Sequence, residues 1–392
     1  MPLTGYRIVD LTRIISGPFC SMLLADLGAE VVKIESPTDG DPLRAQGAMV
    51  EGFSWYFASY NRNKRSLTLD LRTPEGRGIL ERLIARSDAL VENYRPGVLD
   101  KMGLSEARLR ELNPGLIVGS ISGFGRDGPY AERPAFDFIA QAMSGFMSTN
   151  GAADGPPLRT GIPLSDLIAG LYCALGVVGA LLARERGGMG QQVSTSLVDG
   201  LVSFLSYMAS NTLASGRPPE RSGNDHPLVA PYGLFAASDG PIAIAPSNDS
   251  VYRKLLKALD LTRLEADERF RDNAARMRNR EPLRAEIEAV TRTRSQAHWI
   301  ERLNAGGVPC GPVLDLPDVF HDPQILHQEM VIEANHPAHG PVRMTGFPLK
   351  LSGTPCRLRR PPPDLGGDTD EILADLGFDA AQREGLRARG VV

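Results

Sequence analysis

The chain has 392 residues, 42% of them hydrophobic and 23% charged, an ordinary globular balance, and its length suggests two domains or one large domain with a smaller one inserted. Its net charge of −4 argues against a general nucleic-acid surface, which needs a basic excess, while leaving room for a local basic groove. The four cysteines, Cys20, Cys173, Cys310 and Cys356, are far apart and form no CxxC pair, so neither a disulfide framework nor a zinc knuckle is expected, and a reducing cytoplasm fits.

The N-terminus, MPLTGYRIVDLT, shows no basic start with a long apolar core, so no signal peptide is expected. Residues 7–12 read as a strand, 18–27 as a helix ended by Gly28, and 30–35 as a second strand. A strand at 66–71, a helix at 74–87, a strand at 89–91, a helix at 105–112 and a strand at 116–122 follow. Strands alternating with helices at this spacing imply βαβ units and a mainly parallel sheet. Ligands of such sheets sit beyond the carboxyl ends of the strands. Two long helices are expected at 136–148 and 164–184, then a strand at 191–194 and a helix at 198–213. The 17 residues 167–183 are all apolar or small, the lower limit for a membrane span. Glycine and alanine dilute them and no second span follows, so a fully buried core helix is expected, one whose covering hints at a second subunit. Residues 215–231, rich in proline and glycine, read as a linker. A smaller α+β region follows, with an extended return from about 316 and a terminal helix at 368–376.

The loop after the first strand, Arg13-Ile14-Ile15-Ser16-Gly17-Pro18, lacks G-x-G-x-x-G, and no P-loop exists, so dehydrogenase and nucleotide triphosphatase chemistry are disfavoured. Among six histidines the one close pair, His336 and His339, lies in a turn-like stretch that reads as a surface loop, and no metal is expected. There is no G-x-S-x-G elbow for a serine hydrolase. Carboxylates are left. Asp166 opens the long apolar helix, where it reads either as a dipole-favoured first-turn acid or as a carboxylate held ionised by the helix N-terminus at the edge of a dry core. In the second case it is a nucleophile for an activated substrate.

Several ordered motifs resemble the family III CoA-transferases, the group of formyl-CoA transferase and carnitine CoA-transferase. They are Val9-Asp-Leu-Thr12 with Gly17-Pro18, residues 24–35 (LADLGAEVVKIE), Asn61-Arg-Asn-Lys-Arg-Ser66, residues 69–76 (LDLRTPEG), Val91-Glu-Asn-Tyr-Arg-Pro-Gly97, residues 122–130 (SGFGRDGPY), 135–142 (AFDFIAQA) and 307–313 (GVPCGPV). The resemblance spans nearly the whole chain and makes Asp166 the counterpart of the family's nucleophile. It implies attack on a donor thioester, a mixed anhydride, an aspartyl-CoA thioester and capture by an acceptor carboxylate. CoA is then a substrate and no cofactor is held permanently. The same alignment places Ile15, Ser16, Leu69, Arg72, Asn93, Tyr94, Arg95 and Lys101 at CoA, with Arg44 as a further phosphate candidate. Phe136 and Asp137 match an aromatic–acid pair near the thioester. Racemases of this fold carry His-Asp there, so the base for an acyl-CoA racemase is missing. Formyl-CoA transferase has a glycine run over its nucleophile that this chain lacks. Its counterpart, residues 222–232 (SGNDHPLVAPY), resembles members that pass CoA from succinyl-CoA to dicarboxylates, which weighs against oxalate and makes Gly223, Asn224 and His226 substrate candidates.

The resemblance implies an α/β fold: a Rossmann-like large domain with a smaller α+β domain, two copies interlocking as a homodimer. The expected division is 1–215 large domain, 216–232 linker, 233–315 small domain, and 316–392 return linker with the rest of the large domain. The partners expected are an acyl-CoA, a carboxylic acid and a second copy, with no nucleic acid and no membrane. The competing readings are a racemase with another base and a non-catalytic CoA-binding protein.

Overall fold

In a computed structural model describing residues 1–392, six short segments pair into one parallel sheet. They are β1 (Arg7–Asp10), β2 (Glu30–Glu35), β3 (Lys64–Thr68), β4 (Ala89–Glu92), β5 (Ile117–Ser122) and β6 (Gln192–Ser196). Their order is β3-β2-β1-β4-β5-β6, and every neighbouring pair is parallel. Alternate side chains face opposite sides of the pleat, so both faces must be covered. Ile8, Val31, Val91 and Ile117 meet helices α1 (Ser16–Asp26) and α4 (Leu164–Gly187). Val9, Val32, Leu90 and Val118 meet α2 (Pro74–Ile84) and the C-terminal helices Thr369–Asp375 and Ala380–Ala388. The tail thus completes one face of a sheet begun at the N-terminus.

Helix ends follow local chemistry. α2 begins at Pro74 behind a Thr73 hydroxyl that accepts the Gly76 N–H, the ordinary N-terminal signature. The single helix expected over 136–148 is divided, because Gly145 takes φ +86° and ends the turn. What forms is α3 (Asp137–Met143) and a short turn, Phe146–Thr149. Likewise the expected helix at 198–213 breaks at Ser206, φ +52°, into α5 (Leu197–Ser203) and Ser206–Ser215.

α4 is long and apolar enough to cross a membrane by length and composition, but one side of it packs on the sheet and α1. Gly170 permits the close approach: a Cβ there would lie 2.5 Å from the Ser16 carbonyl oxygen. The opposite side is not fully buried as expected. Leu171, Leu175 and Leu182 are 50%, 65% and 54% exposed.

The chain divides into two compact units, one of residues 1–146, 159–209 and 323–392, the other of residues 147–158 and 210–322. The second carries a three-stranded antiparallel sheet, β7 (Gly233–Ala236), β8 (Pro241–Ile244) and β9 (Cys310–Pro312), over a core that includes Phe235, Ile242, Leu255 and Trp299. In the first unit a late hairpin, β10 (Val331–His336) and β11 (Gly340–Thr345), packs against the helix Trp55–Asn61. His336 and His339 flank its turn. The surface-loop expectation is corrected here, since His336 is buried and both rings lie against Phe53. His336, His339 and Asp364 cluster closely enough to share an ion. The His336 Nδ1, however, accepts the Ala338 N–H, and His339 bridges the Glu51 carbonyl and Asp364.

Candidate active site

Three strand ends of the first unit converge where the strand order reverses between β1 and β4. Beyond β1 runs the loop to Ser16, beyond β4 lies Asn93, and beyond β5 comes Gly123. They enclose a cleft of about 190 Å³ with Asp166 in its wall, the position that open α/β sheets use for ligands. Asp166 is its one carboxylate, and its charged company is Arg13, Arg95 and Arg133.

Asp166 lies in the first turn of α4, half-buried. It does not cap that helix. The cap is Asp137, buried at the start of α3: its Oδ1 accepts the Ser165 N–H (2.9 Å) and the Ser165 hydroxyl (2.8 Å), and its Oδ2 accepts from Gln141 Nε2 (2.7 Å). Asp166 is left facing the Ser16 side chain, which shares the cleft wall with it, and one turn along α4 Gly170 lies against the Ser16 backbone. Burial first, and the neighbouring Asp137 second, push its carboxyl up to about 7, with the Ser16 hydroxyl opposing them. The expectation that the helix N-terminus alone keeps Asp166 ionised is therefore corrected. Desolvation and a like charge outweigh the favourable dipole.

The loop carrying Ser16 is pinned across the cleft by Asn93, whose Oδ1 accepts the Arg13 N–H (3.0 Å) and whose Nδ2 donates to the Arg13 carbonyl (2.8 Å). The same Nδ2 reaches the Ser16 hydroxyl at 3.3 Å. Of the residues singled out in the sequence, Ile15, Ser16, Asn93, Tyr94, Arg95 and Phe136 line this cleft with Asp166. Phe136 is 74% exposed, a large apolar ring kept at the mouth.

Other candidates lie elsewhere. Arg44 is paired with Glu35 (2.7 Å) and stacked on Phe57, so its guanidinium is already engaged. Leu69 is buried in the sheet core. Arg72 is held at the surface by Asp70 (2.9 Å), and Lys101 ends the helix Val98–Lys101 outside the cleft. Asp137 acts as the cap just described and does not line the cleft. Gly223, Asn224 and His226 belong to the second unit. There the Gly223 N–H donates to the Gly151 carbonyl (3.0 Å), Gly223 and Asn224 are exposed, and the His226 ring lies beside Tyr232 with its Nδ1 accepting the Leu228 N–H.

Sequence reasoning missed Arg13 and Arg133, although Arg13 stands in the loop after the first strand, where a ligand of this sheet is expected. It also missed Tyr56 and Tyr60. Burial, and then the charge of Asp166 among other neighbours, raises both phenols, Tyr60 to about 12. They are donors in the surroundings of Asp166 that no motif signalled.

Comparison with known proteins bears on the chain as a whole. The family model described as CoA-transferase family III matches residues 3–369. An acetyl-CoA:oxalate CoA-transferase of Acetobacter aceti is 40% identical over 90% of each chain. The mouse succinyl-CoA:glutarate CoA-transferase is 38% identical over 100% of this chain and 90% of its own. A crystal structure of a CaiB/BaiF family protein from Brucella suis superposes with a TM-score of 0.87 at 40% identity, covering 96% of this chain and 99% of that one.

Proposed function

The chain belongs to CoA-transferase family III, and from that premise we propose that it moves CoA from succinyl-CoA to a dicarboxylic acid with Asp166 as the nucleophile. The observation that carries this is the single carboxylate in a cleft at the carboxyl end of the sheet, with three arginines also in its lining and no histidine. The Asp166 carboxylate attacks the thioester carbonyl, the C–S bond breaks, and a mixed anhydride and CoA thiolate result. The thiolate attacks the Asp166 acyl carbon, releasing the donor as its carboxylate and leaving an aspartyl-CoA thioester. The acceptor carboxylate attacks that thioester, and the returning thiolate cleaves the new anhydride at the acceptor carbon, restoring Asp166. A thiol with a cysteine-like pKa of about 8.5 leaves without a dedicated acid, which suits a cleft without histidine. The arginines supply charge for the nucleotide phosphates and the carboxylates. Both anhydrides hydrolyse readily, so water must be kept from them. Gly223, Asn224 and His226 are kept as substrate candidates on the resemblance of residues 222–232 alone.

The relatives named above act on oxalate and on glutarate, both dicarboxylates. The loop at 222–232 weighs against oxalate, whereas the Acetobacter relative keeps it in the test. Incubation with succinyl-CoA and a panel of oxalate, glutarate, mesaconate and monocarboxylates is expected to give new CoA thioesters with dicarboxylates. Deuterium uptake at the α-carbon of an acyl-CoA without exchange would sink the transferase reading in favour of an isomerase.

The strand order supports a Rossmann-like large unit. The exposed apolar side chains Phe138, Leu171, Leu175, Leu182, Val202 and Phe204 on α3, α4 and α5 support a homodimer, since apolar surface of this kind is ordinarily covered. Sedimentation is expected to give twice the chain mass, and the double variant Leu175→Asp, Leu182→Asp to move it toward one chain. A wild type sedimenting as a single chain would remove the dimer. Four unpaired cysteines support a reducing, cytoplasmic setting.

A further inference from the structure

Three motifs noted in the sequence have no part in the chemistry above: Val9–Thr12, Lys33 in its strand, and Asn61–Ser66. They meet beneath the cleft. Asp10, Lys33, Asp41 and Lys64 are almost wholly buried and form one charged cluster. Lys64 Nζ pairs with Asp10 (3.0 Å) and donates to the Pro18 carbonyl (3.0 Å) and Asn61 Oδ1 (2.9 Å). Lys33 Nζ pairs with Asp41 (2.9 Å) and donates to the Thr12 carbonyl (2.8 Å). Asp10 accepts the Thr12 N–H (2.8 Å) and the Ser21 hydroxyl (2.6 Å). Asp41 accepts the Ile14 N–H (3.2 Å), at a residue held at φ +68°, a conformation a β-branched side chain seldom keeps without support.

Every one of these bonds ends on the stretch between Thr12 and Ser21 or braces a group that does. Burying four charges is costly unless each is paired and hydrogen-bonded, as they are here. Burial alone would raise Asp10, yet Lys64 and Lys33 hold it down at about 2. Burial draws Lys64 down to about 8 against the pull of Asp10, so below about pH 7 the cluster is charged and fixes one conformation of the loop from below, while Asn93 pins it from the side. What the loop presents to the cleft is Ser16, in the same lining as Asp166 and with its backbone against Gly170, one turn along the helix that Asp166 opens.

We propose that Ser16 is the positioning residue of the nucleophile, its hydroxyl carried to the Asp166 carboxylate on a loop that the buried ion cluster locks in place. This rests on Asp166 being the nucleophile. A donated hydrogen bond favours the ionised carboxylate and orients its other lone pairs toward the thioester. The remaining charged and titratable groups facing Asp166 are Asp137 on α3, Tyr56 and Tyr60 on the helix Trp55–Asn61, and Arg13, Arg95 and Arg133 around the cleft. None is altered by a change at Ser16.

The test is Ser16→Ala in the full-length enzyme, assayed for CoA exchange from pH 5 to 9. The expected result is a kcat lowered roughly tenfold at neutral pH, a KM for acyl-CoA unchanged within about twofold, and an acid limb moved to higher pH. Asn93→Ala, which loosens the same arm at a half-buried site, is expected to move the limb the same way by less. It serves if Ser16→Ala fails to fold. An unmoved limb with unchanged kcat overturns the assignment. So does a loss confined to KM, which would make Ser16 a substrate contact. Retained turnover in Asp166→Ala overturns the nucleophile itself, a result distinguishable from either outcome at Ser16.

Discussion

Asp166→Ala is expected to abolish CoA exchange, by roughly four orders of magnitude or more, while leaving the free protein more stable at neutral pH, not less. The first half follows from the covalent step, which no other carboxylate lining the cleft replaces. The second half follows from linkage. The folded carboxyl of Asp166, raised by burial and by Asp137 to about 7 from 3.8, holds its proton more tightly than the unfolded chain does. Its favourable contribution is therefore complete below about pH 4 and is lost as pH rises through 7. Above that, the native state carries a poorly solvated charge beside another. Because the group is only half-buried, solvent screening trims the gain from its removal to about 1–2 kcal/mol at pH 8. Urea denaturation of wild type and variant at pH 4.5 and pH 8 reads this directly. The variant should gain at pH 8 and lose the advantage at pH 4.5. A difference that does not depend on pH would contradict the buried-carboxylate account.

On the proposed mechanism such a residue is a stability liability kept for chemistry, and the sequence showed half of that. A lone acid at the mouth of an apolar helix was visible at once. What it faces was not, because Asp137 and Ser16 lie 29 and 150 positions earlier and only the fold brings them to it. The parallel sheet was readable for a simple reason: strands that alternate with helices at this spacing leave few alternatives to βαβ units. Breaks at Gly145 and Ser206 were not, since each depends on one backbone angle. Charge alone leaves the phosphate contacts open. Arg44, Arg72 and Lys101 carry the right chemistry for phosphate, but sequence does not show that Arg44 already has a carboxylate partner in Glu35 or that Arg72 has one in Asp70. Conversely, the lysines of EVVKIE and NRNKRS look like surface residues and are buried structural ions.

Asp137→Asn is expected to move the acid limb of the exchange reaction to lower pH. The direction is set by charge. Asp137 raises Asp166 because two carboxylates compete for ionisation at short range, and an amide removes that competition while keeping an acceptor for the Ser165 N–H. If Asp166 falls by about one pH unit, its ionised fraction at pH 6 rises from roughly a tenth to a half, and kcat/KM there rises about fivefold. Above pH 8, where both enzymes are ionised, the rates should converge or favour the wild type, because a less basic carboxylate is a weaker nucleophile. The exchange also costs stability. The new amide N–H₂ faces the Gln141 Nε2 donor, and Gln141 cannot turn over freely because its Oε1 accepts the Thr160 N–H (2.9 Å). The charged cap on α4 becomes a neutral one as well, for a loss of about 1 kcal/mol. A pH profile of kcat/KM for succinyl-CoA, beside a melting curve, separates the two effects. A limb that stays in place while stability falls would leave Asp137 as a cap alone and would assign the elevated Asp166 carboxyl to burial. A limb that moves down makes the pair a single device, in which the residue that builds the helix end also sets when the nucleophile is charged.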